Sequence, residues 1–210
     1  MKISVYNVWW LVFYVSLLPL AYLLLNIGFD QLGANPIQAV HQRLGDWALR
    51  FLCLTLAVTP LQTLTGLRGL ADFRQMLGLY AWFYATLHVV AYLWLDQALQ
   101  WSMIATDIWQ SRYIWFGLLA YIILLLLAVS SSKAAKKILK ANWKKLHRFI
   151  YLAAVSGMLH YFWQLKGNLA KPLFYALIIG LLLLFRVVVR LKNRQINRLM
   201  IPLGRNTEAD

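Results

Sequence analysis

The stretch KLHRFIYLAAVSGMLHYFWQLK, from Lys145 to Lys166, combines a membrane-length apolar run with flanking lysines. The 210-residue chain has only four histidines, and this stretch holds two of them, His147 and His160. An apolar segment of about 20 residues is what a helix needs to cross a bilayer. Because an ionisable side chain is costly at membrane depth, both histidines are candidates for a functional role.

Long apolar runs recur along the whole chain, which is 61% hydrophobic. Soluble domains have roughly 45–50% apolar residues, so the excess is typical of a membrane protein. The sequence predicts an all-α membrane protein, a six-transmembrane-helix bundle forming one domain over residues 1–210. The first span lacks a small-residue cleavage site, so we expect it to be retained. The predicted spans are residues 8–27, 47–64, 75–95, 112–129, 146–165 and 173–189, followed by a basic tail at 190–210.

The net charge of +14 is distributed unevenly between the two sides of this topology. Sixteen of the 21 Lys and Arg residues lie at the N-terminus, in the 2–3 and 4–5 loops and in the C-terminal tail. Lysine and arginine accumulate in cytoplasmic loops, so both termini are predicted to be cytoplasmic. Anionic lipid is then the expected counter-charge, and the basic composition does not indicate nucleic-acid binding. The single cysteine, Cys53, excludes an internal disulfide.

A third histidine, His88, lies deep in the third predicted span. Spans three and five run in the same direction, and His88 and His160 lie about 13 and 14 residues from their inner ends. The fixed helical rise therefore predicts that the two imidazoles lie at the same depth. Two neutral imidazoles facing each other inside a bundle can bind a planar metal cofactor axially, which suits haem. Zinc would need three or four nearby ligands, and the sequence has no HxxxH motif or Cys/His cluster.

His147 lies about 20 Å from His160 along a helix and belongs to the cytoplasmic end. On an ideal helix the two side chains point about 140° apart, so they share a face only if the helix is distorted, for example near Gly157. His147 is therefore expected to serve a separate site.

Several motifs together resemble the MsrQ (YedZ) family, the haem-binding membrane subunits of bacterial periplasmic methionine sulfoxide reductase systems. The resemblance extends over nearly the whole chain, and no single motif is specific alone. The matching motifs are LGANPI at 32–37, Thr59–Pro60, RQMLGL at 74–79, TLH at 86–88, KILKANWKKLHRFIYL at 137–152 and MLHY at 158–161.

The resemblance implies a six-helix member of the ferric reductase-like transmembrane superfamily in the bacterial inner membrane, carrying one or two b-type haems. It implies electron transfer to a periplasmic molybdenum-cofactor subunit that reduces methionine sulfoxide in oxidised proteins. The donor would be quinol or a cytosolic flavin reductase, and FMN is a possible second cofactor. The superfamily commonly has two histidines on each of spans three and five. Here Arg74 stands 14 residues before His88, which leaves His147 without a histidine partner.

Four further residues are candidates for binding a haem propionate or a flavin. Arg50 and Arg112 lie at the outer ends of predicted spans, where either could pair with a carboxylate. A side chain that only extends to the membrane interface is at least as good an interpretation of each. Arg74 could act in the same way at the inner end of span three. His41 is assigned to the outer loop, where a solvated histidine is the simpler interpretation and contact with a propionate or the partner subunit is the alternative.

Three functional classes are compatible with the sequence. A transmembrane electron-transfer subunit is favoured over a self-contained reductase, because the chain has no GxGxxG, P-loop or nucleophile-elbow motif. A self-standing quinol or ferric reductase with the same haem core is the main alternative. A non-redox scaffold, in which the histidines only join helices, is the third.

Overall fold

The computed structural model describes residues 5–67, 69–164, 167 and 169–200, and the described part of the chain is helical, with no strand. The all-α prediction is therefore confirmed. The assignments of Lys2, Arg68 and Lys166 to particular sides, and the tail beyond Met200, fall outside the described residues. The helices are α1 Val5–Gly28, α2 Pro36–Thr65, α3 Leu70–Ala91, α4 Trp101–Gln110, α5 Arg112–Val129, α6 Lys133–Leu139, α7 Ala141–Leu146, α8 Ile150–Gln164 and α9 Ala170–Met200.

Five helices of the described chain are long and apolar enough to cross a membrane: α1, α2, α3 with its π-helical extension to Asp96, α5 and α9. The fifth predicted span corresponds to α8, which has 15 residues and follows a 3₁₀ turn at His147–Phe149. At 1.5 Å per residue α8 is about 22 Å long, shorter than a hydrocarbon core of about 30 Å. The multi-pass architecture is thus confirmed, while the sixth crossing stays a prediction.

The second helix begins eleven residues before its predicted start at Trp47. Asn35 caps it by accepting a hydrogen bond from the Gln38 N–H at 3.1 Å, and Pro36 occupies its first turn. Both residue types favour a helix start, although the following turns are polar. The assignment of His41 to a loop is therefore wrong, because His41 lies in α2. With 30 residues, α2 is about 45 Å long and extends beyond the hydrocarbon core.

Two helix pairs, α2 with α3 and α5 with α8, form the centre of the bundle. Ala81, Ala153 and Ala154 are fully buried, and such small side chains allow close helix packing in membranes. The α1 helix is held on α3 by the Tyr84 hydroxyl, which donates to the Ser16 carbonyl at 2.8 Å and accepts from the Leu20 N–H at 3.2 Å. The α9 helix contacts α2 and α8.

An arginine of α9 compensates for a proline inside α2. Pro60 has no N–H, so it cannot donate to the carbonyl of Leu56 one turn earlier. Arg186 donates to that carbonyl instead, at 2.6 Å, and to the Tyr151 hydroxyl at 2.7 Å. Neighbouring helices commonly satisfy the backbone groups that a proline frees in a membrane helix. Arg186 therefore joins α2, α8 and α9 rather than belonging to the solvated tail.

The segment between α3 and α5 contains a helix that hydropathy did not predict. The α4 helix follows the π-helical turn Tyr92–Asp96. Asp107 of α4 accepts hydrogen bonds from the Tyr92 hydroxyl at 2.7 Å, the Gln97 amide at 3.3 Å and the Ser111 hydroxyl at 2.9 Å. These bonds fix α4 across the end of the bundle that lies away from α6 and α7. We call the α6–α7 side the lysine-rich end and the α4 side the opposite end.

Candidate functional site: a histidine-lined cavity

A cavity of about 490 Å³ lies between the two central helix pairs. Its lining comes from α2, α3, α4, α5 and α8 and extends from Leu124 in the bundle to Asp96 and Asp107 at the opposite end. Most of the exposed lining is apolar, and His88 and His160 are among its polar groups. The arrangement is typical of a cofactor site, with an apolar volume and a few convergent polar groups.

His88 is held against α2 by a hydrogen bond and a glycine. Its Nδ1 donates to the carbonyl of His41 at 3.0 Å, since a carbonyl can only accept. One turn further along α2, Gly45 has no side chain, and a Cβ there would lie 3.0 Å from the His88 Cε1. With Nδ1 carrying the proton, the Nε2 of a neutral imidazole is free to bind a metal.

His160 is held against α5 in the same way. Its Nδ1 donates to the carbonyl of Tyr113 at 2.8 Å, and a Cβ on Gly117 would lie 2.7 Å from that nitrogen. Each histidine thus lies 47 residues after its carbonyl partner. The carbonyl, glycine and histidine around His160 each lie 72 positions after their counterparts around His88. The two helix pairs hold their histidines by equivalent geometry, although the sequence showed no internal repeat.

The rings of His88 and His160 have centroids 6.1 Å apart and planes inclined by 86°. The depth argument predicted that these two side chains meet, and the structure places them together in the cavity. Two imidazoles with Nδ1 bonded to backbone carbonyls present the right atoms for axial ligation of one metal centre. Within the described residues no group of three or more His, Cys, Asp or Glu side chains forms a metal cluster.

His41 belongs to this site, contrary to its loop assignment. Its ring stacks on that of His88, with centroids 3.9 Å apart and planes inclined by 7°. Its Nδ1 lies 3.6 Å from a carboxylate oxygen of Asp96, and its Nε2 is buried without a hydrogen-bond partner. His41 therefore contributes both a carbonyl and a ring to the surroundings of His88.

None of the three candidate arginines lines the cavity, although Arg50 lies 3.9 Å from the carboxylate of Asp46, which does. The Nε of Arg50 donates to the Tyr175 hydroxyl at 3.0 Å, which directs its guanidinium towards α9. Arg74 is exposed near the start of α3, and Arg112 is exposed at the start of α5. The cavity lining, as far as the chain is described, contains no Lys or Arg. The described lining therefore offers a carboxylate none of the predicted guanidinium groups, and it contains the carboxylates of Asp46, Asp96 and Asp107.

His147 lies outside the cavity, in the 3₁₀ turn before α8. Its ring stacks on Trp143 with centroids 4.0 Å apart, and its Nδ1 donates to the Trp143 carbonyl at 3.2 Å. The charged side chains of Lys136 and Arg74 lie close enough to His147 to act on it electrostatically. The separation of His147 from the His88–His160 pair agrees with the prediction of a separate location. The helix irregularity lies at His147 itself, since α8 is regular through Gly157.

Sequence reasoning missed the two glycines and the carbonyls that position the ligand candidates. Gly45 precedes the predicted second span and Gly117 lies inside an apolar one, so neither stands out among the 11 glycines. The available signal was their equal spacing, because each lies 43 residues before a membrane histidine. Without the fold, that coincidence could not be linked to a contact.

Comparison with known families agrees with this architecture. The model of the ferric reductase like transmembrane component family matches residues 44–158. This range includes His88 and His147 and ends two residues before His160. The helical fold and the matched family define the class: a multi-pass membrane protein of the ferric reductase-like type.

Curated relatives make the assignment more specific. A protein of Xanthomonas campestris pv. campestris (strain 8004) is 45% identical over 168 residues, covering 80% of this chain and 77% of its own length. One from Polaromonas naphthalenivorans (strain CJ2) is 46% identical over 180 residues, covering 84% and 82%. Both are named protein-methionine-sulfoxide reductase heme-binding subunit MsrQ. This chain belongs to the MsrQ family.

Proposed function

We propose that the chain is a b-type haem subunit that carries electrons across the bacterial inner membrane to a periplasmic methionine sulfoxide reductase. The observation that carries the proposal is the His88–His160 pair, whose ring centroids lie 6.1 Å apart inside the cavity. Haem supplies reversible one-electron chemistry at its iron. The relatives are named as heme-binding subunits of such a reductase, and we extend that role to this chain.

The residues of the cavity fit a haem. His88 and His160 would hold the haem, since their ring centroids lie 6.1 Å apart and each ring keeps one nitrogen available for a metal. The absence of a CxxCH motif makes the attachment non-covalent, as in b-type cytochromes. The apolar lining suits a macrocycle, and the Gln164 amide offers a donor to one of its carboxylates.

The chain's own groups act by holding the ligand geometry and excluding water. The carbonyls of His41 and Tyr113 keep the proton on each Nδ1, so each Nε2 stays available to iron. The α4 helix, fixed through Asp107, covers part of the mouth of the cavity. A haem held by both histidines would have no open position for a substrate, which favours outer-sphere electron transfer.

Electrons would enter at the lysine-rich end and leave at the opposite end. Along α8 and the preceding turn, His147 and His160 are separated by about 20 Å, so a second carrier near His147 would shorten the transfer. Trp143, Lys136 and Arg74 surround His147 with an aromatic ring and positive charge. These groups suit a second haem or the phosphate of FMN. Electrons would reach this second carrier from a cytosolic flavin reductase or from quinol. The acceptor would be the periplasmic molybdenum-cofactor subunit, which repairs oxidised proteins.

The direct test is the optical spectrum of the purified full-length protein. We expect low-spin b-type bands that sharpen on reduction with dithionite, and an alkaline pyridine assay that identifies non-covalent protohaem. A colourless preparation from haem-sufficient cells would overturn the proposal and favour a non-redox scaffold. Oxidation of the reduced chain by its reductase partner, but not by ferric ion alone, would separate a subunit from a self-standing ferric reductase.

The direction of transfer depends on the topology, which can be tested separately. The excess of Lys and Arg on one side predicts that a fluorescent protein fused after Asp210 is active and that alkaline phosphatase fused there is inactive. The matched control places the same reporters after Gln100, where the opposite result is expected. Active phosphatase after Asp210 would reverse the orientation and exchange the donor and acceptor ends.

A further inference from the structure

We propose that Gly45 and Gly117 are positioning residues that set the planes of the two axial imidazoles at right angles. The inference rests on the proposed function, because the ring planes matter electronically only when one iron binds both rings. Nothing in the histidine pattern alone assigns a role to these glycines.

The first argument is the closeness of each contact. A Cβ on Gly45 would lie 3.0 Å from Cε1 and 3.1 Å from Nδ1 of His88. A Cβ on Gly117 would lie 2.7 Å from Nδ1 and 2.9 Å from Cε1 of His160. Each imidazole therefore occupies the space that any other residue would fill with its own side chain.

Other glycines within helices of the described chain lack such a contact. A Cβ on Gly78 would meet Thr55 at 3.6 Å, which is ordinary van der Waals distance. One on Gly157 would meet only the Ala120 Cβ at 4.0 Å, and one on Gly180 would meet nothing within 4 Å. The close approach is thus specific to the two glycines that face histidine rings.

The second argument is that each glycine lies one turn after the carbonyl that binds the same ring. Residues i and i+4 lie on the same helix face, so the carbonyl of His41 and the Cα of Gly45 contact one imidazole together. Tyr113 and Gly117 do the same for the other imidazole. A ring that donates from Nδ1, and whose Nδ1–Cε1 edge lies against the glycine, cannot rotate about its Cβ–Cγ bond without breaking the hydrogen bond or clashing.

The third argument is the resulting angle of 86° between the ring planes. Each imidazole interacts most strongly with the iron d orbital perpendicular to its own plane. Two iron d orbitals can interact with the rings in this way. Parallel rings interact with the same one, so the two orbitals differ in energy, whereas perpendicular rings interact with one each, so the two stay nearly equal in energy. Perpendicular ligation therefore gives ferric haem a highly anisotropic low-spin electron paramagnetic resonance signal, and parallel ligation gives a rhombic one.

The experiment compares this resonance signal and the haem content of the purified full-length ferric protein with those of Gly45→Ala and Gly117→Ala. We expect the wild type to show the highly anisotropic signal. Gly45→Ala should keep the haem and shift the signal towards the rhombic form. Gly117→Ala should shift it further or convert part of the haem to high spin, because its Cβ would approach the ring more closely.

Gly78→Ala is the matched control, since it adds the same methyl group to the helix that carries His88 without touching a histidine. If Gly117→Ala fails to fold, the milder Gly45→Ala still decides the question. Haem-loaded Gly45→Ala with the signal of Gly78→Ala would overturn the role of the glycines, and a rhombic wild-type signal would do the same. A wild type without any haem would instead overturn the proposed function.

Discussion

His88→Ala and His160→Ala are each expected to abolish the low-spin haem signal of the purified protein. Each substitution removes one proposed axial ligand and leaves an apolar gap in the cavity, so the haem should be lost or become high-spin. The backbone carbonyl that accepted from the missing Nδ1 loses this bond but keeps its helical donor four residues later, so the loss of the ligand dominates the effect. Haem content and the reduced optical spectrum measure the effect, and electron delivery to the reductase partner should fail in parallel.

Two other histidines provide controls for this experiment. His147→Ala should leave the low-spin signal of the cavity intact, because His147 lies in the turn before α8 and does not line the cavity. The same substitution should slow reduction of the haem by a donor at the lysine-rich end if a second electron carrier binds there. His41→Ala should keep the haem, since the bond to His88 comes from the backbone carbonyl of His41. Loss of the low-spin signal in His147→Ala, with His88→Ala unaffected, would overturn the ligand assignment.

The central pair could be predicted from the sequence because it depends on one rigid quantity. Helical rise is fixed at 1.5 Å per residue, so depth along two parallel helices can be read by counting from their ends. Counted from the predicted span ends, His88 and His160 lie at the same depth, and their rings meet in the structure. The observed helices begin elsewhere, at Leu70 and Ile150, so the agreement depends on the apolar spans rather than on the helix starts. The same counting separated His147 from the pair.

The surroundings of the pair were not predictable in the same way. A prediction from hydropathy places the end of a helix where the apolar run ends. It could not distinguish the polar first turns of α2 from a loop, and for this reason His41 was assigned to a loop. The direction in which a side chain points depends on which helices are neighbours. For this reason Arg50 was a reasonable candidate for a carboxylate partner, although it bonds Tyr175 of α9. The contacts of Gly45 and Gly117 depend on the same tertiary information.

Arg186 illustrates how a tertiary contact changes the meaning of a charged residue. Counted by sequence, it is one of many basic residues near the C-terminal tail. In the fold it donates to the Leu56 carbonyl at 2.6 Å, the group left without its helical donor by Pro60. An unpaired carbonyl is costly in a segment that water does not reach. The arginine and the proline should therefore be energetically coupled.

We expect Arg186→Leu to destabilise the protein by about 1–3 kcal/mol, the cost of leaving the Leu56 carbonyl unpaired, and to lose the bond to Tyr151 in addition. In a Pro60→Ala background the penalty should be smaller, because the alanine N–H can donate to Leu56 within α2. The coupling can be measured with a double-mutant cycle of unfolding free energies in detergent. Arg190→Leu, one turn along α9 at an exposed position, is the matched control and should have little effect. Equal penalties for Arg186→Leu in the two backgrounds would show that the arginine stabilises the bundle independently of the proline.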